Sequence, residues 1–213
     1  MTPAGQAVDH VLLSPDCPYN PNRAYLLTQT EIQLFTVTVY SENCVGLLNQ
    51  VSVIFTRRCL NIEDVSASAS SIPDIHKLTL TTWADRPTME KVVRQIEKRV
   101  DVIRAFLYTD EDILYQEVAL YKVPTDRLLE SASVEDIVRH HGARILEMTP
   151  EYTVFEKSGH PWETEALLNR LRSLDIRQFV RSGRVAVTKS PIEYVDIYLE
   201  QQRIRKQKLE SNE

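Results

Sequence analysis

The sequence predicts an α+β fold: two modules in tandem, each built in the order β-α-β-β-α-β. Three observations predict it. Short segments alternate apolar and polar residues, as half-buried strands do. Between them, apolar residues recur at three- and four-residue spacing, as in one-sided helices. The whole order runs once over about residues 34–108 and again over 114–188.

Residues 1–32 read as an extension, punctuated by Pro3, Pro15, Pro18 and Pro21, with Asp16 and Asn20 as turn formers. Leu34 to Tyr40 alternates, with Phe35, Val37 and Val39 on one face. A turn over 41–46 follows. Leu47, Leu48, Val51, Ile54 and Phe55 then mark a helix that ends near Arg57 and Arg58. Asn61 to Ala69 is a second strand, with Val65, Ala67 and Ala69 on one side, and His76 to Trp83 is a third. Asp85-Arg-Pro-Thr88 opens a helix with proline in its first turn. Its buried stripe is expected at Met89, Val92, Val93, Ile96 and Val100, and Val102 to Tyr108 is the fourth strand. This is the split β-α-β unit of ferredoxin-like folds.

After a hinge at 109–113 the order repeats. Leu114 to Val123 is a strand, with Val118, Leu120 and Lys122 on alternating positions. Ser133 to Asp136 resembles a helix-starting capping box, Ile137 and Val138 belong to that helix, and Gly142 caps its end. Ile145–Met148 and Tyr152–Glu156 are strands, Trp162, Ala166, Leu167 and Leu171 mark a helix, and Gln178 to Thr188 is a single last strand. Residues 191–213 read as a terminal helix with Ile192, Val195 and Leu199 packed on the second module and a solvated basic end at Arg203 to Lys208. The expected organisation is therefore an extension (1–32), a first module (33–110), a second (111–190) and a helical tail (191–213).

Composition narrows the function classes. Twenty-five basic against thirty acidic residues give a net charge of −5, without the general attraction to phosphate that non-specific nucleic-acid binding needs. Five glycines in 213 residues is far below the roughly fifteen of average usage, and none are spaced as a phosphate-cradling loop. Cys17, Cys44 and Cys59 are dispersed, so neither a zinc ribbon nor a disulfide scaffold is expected. No apolar run approaches a membrane span and Val11-Leu12-Leu13 is too short for a signal peptide, which leaves the cytoplasm as the default location.

Catalytic candidates are weak. His140 and His141 are adjacent and point about 100° apart on a helix, so they cannot chelate one metal together. Cys44 has no histidine at a suggestive position, Asp110-Glu-Asp112 reads as a solvated linker, and Arg57-Arg58 serves the negative end of the first helix. The segment from Asn43 to Leu48 differs. A strand ends, a turn holds Gly46, and an apolar helix begins, so the amides of Gly46, Leu47 and Leu48 are free to bind a carboxylate, helped by the helix dipole. Asn43 offers both a donor and an acceptor for an ammonium or carboxylate. The plainer alternative is that Asn43 caps the helix and Gly46 eases the turn.

Glu42-Asn-Cys-Val-Gly-Leu-Leu48 followed by Phe55-Thr-Arg-Arg-Cys-Leu-Asn-Ile-Glu63 resembles the opening of the regulatory small subunit of acetolactate synthase, an ACT-domain family. Ile96-Glu-Lys-Arg-Val-Asp-Val102, Glu117-Val-Ala-Leu-Tyr-Lys-Val123 and Arg181-Ser-Gly183 resemble later family segments, in family order. The resemblance implies a non-catalytic chain that activates a catalytic large subunit, whose cofactors are thiamine diphosphate, magnesium and FAD, and that mediates feedback inhibition by valine in branched-chain amino-acid biosynthesis. No cofactor is implied in this chain, nor any nucleic-acid or membrane partner. It also implies a homodimer through ACT domains with the effector at their interface: Asn43, Val45, Gly46, Leu47, Leu48 and Asn49 from one copy facing Asn61 and Ile62 of the other. The sequence departs from the family at Val45, Asn49, Cys59 (a family glycine) and Leu60. The alternative is an ACT-type amino-acid sensor serving a different enzyme or regulator.

Overall fold

The computed structural model describes residues 32–130 and 134–210. The chain divides into two compact units, Leu114–Val187 and the remainder on either side of it. The N-terminal extension and Ser133, the first residue of the expected capping box, lie outside the described residues.

The first unit contains β1 (Gln33–Glu42), α1 (Leu47–Thr56), β2 (Asp64–Ala69), β3 (Ile75–Ala84), α2 (Arg86–Ile96) and β4 (Val102–Tyr108). Its sheet runs β2-β3-β1-β4, all antiparallel, with Val37 opposite Leu80 on one side and Leu107 on the other. Alternation sends Phe35, Val37, Val39, Leu78 and Leu80 to one face, where they pack on Val51, Ile54 and Phe55 of α1 and Met89, Val92 and Ile96 of α2. The Asp85 carboxylate accepts from the Thr88 amide at 2.8 Å and starts α2, with Pro87 just inside. Two expected core positions fail. Val100 lies past the end of α2 and is fully exposed, and Leu48 is half exposed because it falls between the stripes of α1.

The last helix, α6 (Tyr194–Glu210), belongs to this first unit. Val195 is fully buried in a cluster with Tyr40 and Ile75, against which Ile103, Phe106 and Leu199 also pack. The expectation that Ile192, Val195 and Leu199 pack on the second module is thus corrected, and Ile192 is half exposed outside this cluster. Their periodicity marks an apolar stripe but carries no address, and the opposite face of the first sheet offers Tyr40 and Phe106 as the complement. The Tyr40 hydroxyl donates to Glu193 Oε1 at 2.5 Å, and the Arg104 guanidinium lies 5.4 Å from the Tyr198 ring centre. The expected hinge is a closed turn: Asp112 Oδ2 accepts from the Thr109 amide and hydroxyl, both at 2.8 Å.

The second unit contains most of β5 (Ile113–Pro124), then α3 (Thr125–Glu130), α4 (Val134–His141), β6 (Arg144–Met148), β7 (Tyr152–Gly159), α5 (Pro161–Leu171), one 3-10 turn (Arg172–Leu174), β8 (Gln178–Arg181) and β9 (Val185–Thr188). The strand order β6-β7-β5-β8 repeats that of the first unit. Ala119, Tyr121 and Val123 pack with Phe155, Ile137, Leu167 and Leu171 to form its core. The single last strand expected over 178–188 is two strands. Ser182 turns back on β5, its amide donating to the Val118 carbonyl at 2.8 Å and its hydroxyl accepting from the Val118 amide at 3.0 Å. Gly183 takes φ 72° immediately after. Arg181 leaves this bend to pair with Glu165 and with the buried Glu117, which also accepts from the Thr164 hydroxyl.

Candidate effector site at the head of the first helix

β1 ends in a bulge between Tyr40 and Ser41, and the Glu42 amide donates to the Asp101 carbonyl at 3.1 Å. The chain then bends sharply. The Cys44 amide donates back to the Glu42 carbonyl at 3.0 Å, and Gly46 sits at φ 87°, ψ 0° as the residue before α1. That left-handed conformation is where a glycine is used. The first turn-to-turn bond of α1 runs from the Gln50 amide to the Gly46 carbonyl at 3.0 Å. The amides of Leu47, Leu48 and Asn49 precede it and meet no acceptor among the described residues. No side chain caps them and no acidic residue lies in the first turn. Asn43 is exposed and does not cap the helix, which removes the plainer alternative for that residue.

The bend opens onto a cavity of about 200 Å³. Asn43, Gly46, Leu47 and Leu48 form one wall, and Ala67, His76 and Leu78 of β2 and β3 form another. The volume lies below the ~300–1,000 Å³ of sites for drug-sized ligands and suits a small metabolite. Free amides and the positive end of α1 supply attraction for a carboxylate, and Leu47, Leu48 and Ala67 supply apolar surface beside it. Burial, then the neighbouring Asp101 carboxylate, raises the Cys44 thiol above its ordinary value, so the thiol stays protonated and is a poor nucleophile.

The other expected residues fall elsewhere. Val45 points fully into solvent and Asn49 is exposed on the first turn of α1, neither lining the cavity. Asn61 lies at the opposite end of the module: its carbonyl accepts from the Thr82 hydroxyl at 2.6 Å, and Thr82 pairs with Phe35 at the start of β1. Its side-chain amide donates to Glu63 Oε1 at 2.9 Å, and Ile62 packs on the core. One chain therefore brings Asn43, Gly46, Leu47 and Leu48 together and does not bring Asn61 or Ile62 to them. Ala67, His76 and Leu78 are site walls that sequence reasoning missed; only the β2–β3 register, Ala67 opposite Leu78, puts them there. Among the described residues no group of three His, Cys, Asp or Glu side chains could hold a metal ion. No described helix is long and apolar enough to cross a membrane.

Comparison with known proteins adds a lineage to this geometry. Residues 37–104 match the family model of the AHAS small subunit-like ACT domain, and residues 116–190 match that of the small subunit of acetolactate synthase. The chain is 31% identical over 156 residues to the acetolactate synthase small subunit of Mycobacterium bovis, covering 73% of this chain and 92% of the relative. It is 24% identical over 163 residues to a probable acetolactate synthase small subunit of Methanothermobacter thermautotrophicus, 76% of this chain and 97% of that one. In fold it is similar to the crystal structure of the acetolactate synthase small subunit from Thermotoga maritima, with a TM-score of 0.68 over 76% of this chain and all of the other, at 24% identity.

Proposed function

Because the chain belongs to the family of acetolactate synthase small subunits, with a regulatory role beside a catalytic large subunit, we propose that it raises that subunit's activity and makes it responsive to a branched-chain amino acid, valine first. The bond-making chemistry, with its thiamine diphosphate, magnesium and FAD, belongs to the large subunit. This chain's part is binding and transmission. A cytoplasmic location goes with this reading.

The observation that carries the proposal is the uncapped start of α1. Three amides without an acceptor, at the positive end of a helix and beside an apolar cavity, match the carboxylate and side chain of a small aliphatic amino acid. The site is half-built in one chain. β2 is an edge strand, with Val65 and Ala67 exposed along it. Antiparallel pairing of two copies along β2 about a two-fold axis inverts one module against the other. The Asn61–Ile62 end of one copy then comes beside the Gly46 bend of the other. Asn61 supplies a polar group for the ligand and Ile62 closes the apolar side, so effector binding is tied to the geometry of the pair.

Feedback requires that valine bind one arrangement of the pair better than another. A coupling of about 1–3 kcal/mol gives a five- to 150-fold effect. A pocket walled by Leu47, Leu48 and Ile62 separates valine from isoleucine weakly, since one methylene is worth only about 1–3 kcal/mol. The test is reconstitution: this chain is added to a purified large subunit and valine, leucine and isoleucine are titrated. Activity is expected to rise on addition and to fall with valine. A large subunit that gains no activity from the chain overturns the proposal.

A further inference from the structure

The outer edge of β6 is open. Among the described residues β6 pairs with β7 alone, and all five of its residues are exposed, including Ile145, Leu146 and Met148. It contains neither the proline nor the lysine that commonly guards a sheet edge. Its guards are the charges of Arg144 and Glu147 and a bulge, so the edge is a template for a strand whose charges complement those two.

The register of β6 on β7 identifies the strand it fits. The pairing shifts between Ile145 and Glu147. Before the shift Arg144 faces Glu156, and after it Glu147 faces Val154. Glu156 and Val154 are two apart on β7 and so share a face. The bulge therefore places Arg144 and Glu147 on one face of the sheet, although positions three apart in a regular strand point to opposite faces. The segment Arg144-Ile-Leu-Glu147 runs positive, apolar, apolar, negative. Read backwards, it is its own complement.

We infer that β6 pairs antiparallel with β6 of a second copy of this chain about a two-fold axis perpendicular to the sheet. Arg144 stands opposite Glu147 of the second copy, and Ile145 opposite Leu146. Such an axis keeps both copies' faces on the same sides, so residues that oppose one another must share a face. The bulge meets that condition for Arg144 and Glu147, and a regular strand in this register fails it. The Arg144 guanidinium bonds Glu156 at 3.0 Å yet remains largely exposed, with donors left for a second carboxylate. The contact repeats each ion pair twice, as an isologous interface does. It is separate from the β2 edge and involves no effector.

The test is sedimentation of the full-length chain over a dilution series, with circular dichroism to verify folding. Arg144→Glu or Glu147→Arg alone sets like charges opposite one another twice, and is expected to raise by about tenfold the concentration at half-association of the step beyond the β2-paired dimer. The double variant restores both pairs within one sequence. An equimolar mixture of the two single variants restores them between chains, and both are expected to return close to the unmodified value. Single reversals that leave association unchanged overturn the inference, as does an absence of mutual rescue. So does unchanged self-association with weakened activation of a large subunit, which assigns the edge to that partner instead. Because the rescue is read on folded variants, a single variant that fails to fold leaves the other single variant and the double variant to decide.

Discussion

Tyr40 and Glu193, separated by 153 positions, are joined by a hydrogen bond of 2.5 Å that fastens the start of the last helix to the first strand. The bond sits beside the fully buried Val195, so a polar clasp and an apolar cluster hold the helix together with the Arg104–Tyr198 contact. Tyr40→Phe keeps the ring and removes the donor, leaving Glu193 without its partner. The expected cost is about 1–3 kcal/mol. Hydrogen exchange at the amides of residues 195–199 checks it, with opening about five- to 150-fold more frequent in the variant. Unchanged exchange there means that the clasp contributes nothing to the docking of α6.

Alkaline pH tests the buried tyrosines together. Tyr40, Tyr108 and Tyr121 are each raised from an ordinary value of 10.0, burial being the largest cause in every case. The Glu193 bond adds to it at Tyr40, and Arg181 partly opposes it at Tyr121. Tyr108 is pushed up to about 12. Unfolded tyrosines lose their protons from about pH 10, and these folded ones do not. Stability is therefore full below pH 10 and falls as pH rises from 10 to about 12. Urea unfolding at pH 9 and pH 11 measures the drop. Tyr40→Phe is expected to make it shallower by about 1.4 kcal/mol per pH unit, one proton's worth.

Cys59 stands just after α1 at φ 53°, in a left-handed conformation that disfavours any side chain. The strain is of order 1–2 kcal/mol. Cys59→Gly relieves it but frees the unfolded chain, at about 0.4–1 kcal/mol. A net stabilisation of about 0.5–1 kcal/mol is expected in urea unfolding, and a destabilised variant refutes it.

Gly46 separates charge from strain at the effector site. A Cβ added there meets nothing within 4 Å, so the cost of a side chain is the φ of +87°, which Asp and Asn tolerate about equally. Gly46→Asp brings a carboxylate to the free amides and is expected to abolish the response to valine while activation of the large subunit persists. Gly46→Asn carries the same backbone cost without the charge and is expected to keep most of the response. Equal losses in the two variants point to backbone strain and away from an anion site. Asn61→Ala is expected to weaken valine binding in calorimetry, since the proposed pairing along β2 brings the residue to the second copy's half of the pocket.

What the sequence made legible follows from what period and turn chemistry encode. Phe35, Val37 and Val39 alternate and lie in the core, and Asp85 with Pro87 announced a helix start that is present as read. The Gly46 bend was legible because a lone glycine stood between a strand pattern and a helix pattern with no acidic residue after it. The docking of Val195 on Tyr40 was not, since an apolar stripe fits either module until the outer face of the first sheet is known. The short α3 has six residues, fewer than two turns and too few to repeat an apolar stripe, and the break at Gly183 depends on Ser182 bonding Val118 across the sheet. The far wall of the cavity, Ala67 and His76, exists only through strand register, which no local pattern states.

The most direct measurement is the backbone amide spectrum of the full-length chain titrated with valine. Leu47, Leu48 and Asn49 are expected to shift saturably, over the concentrations at which valine lowers the activity of the reconstituted enzyme. Inhibition by valine with those three amides unmoved contradicts the account and sends the search for the effector to another part of the chain.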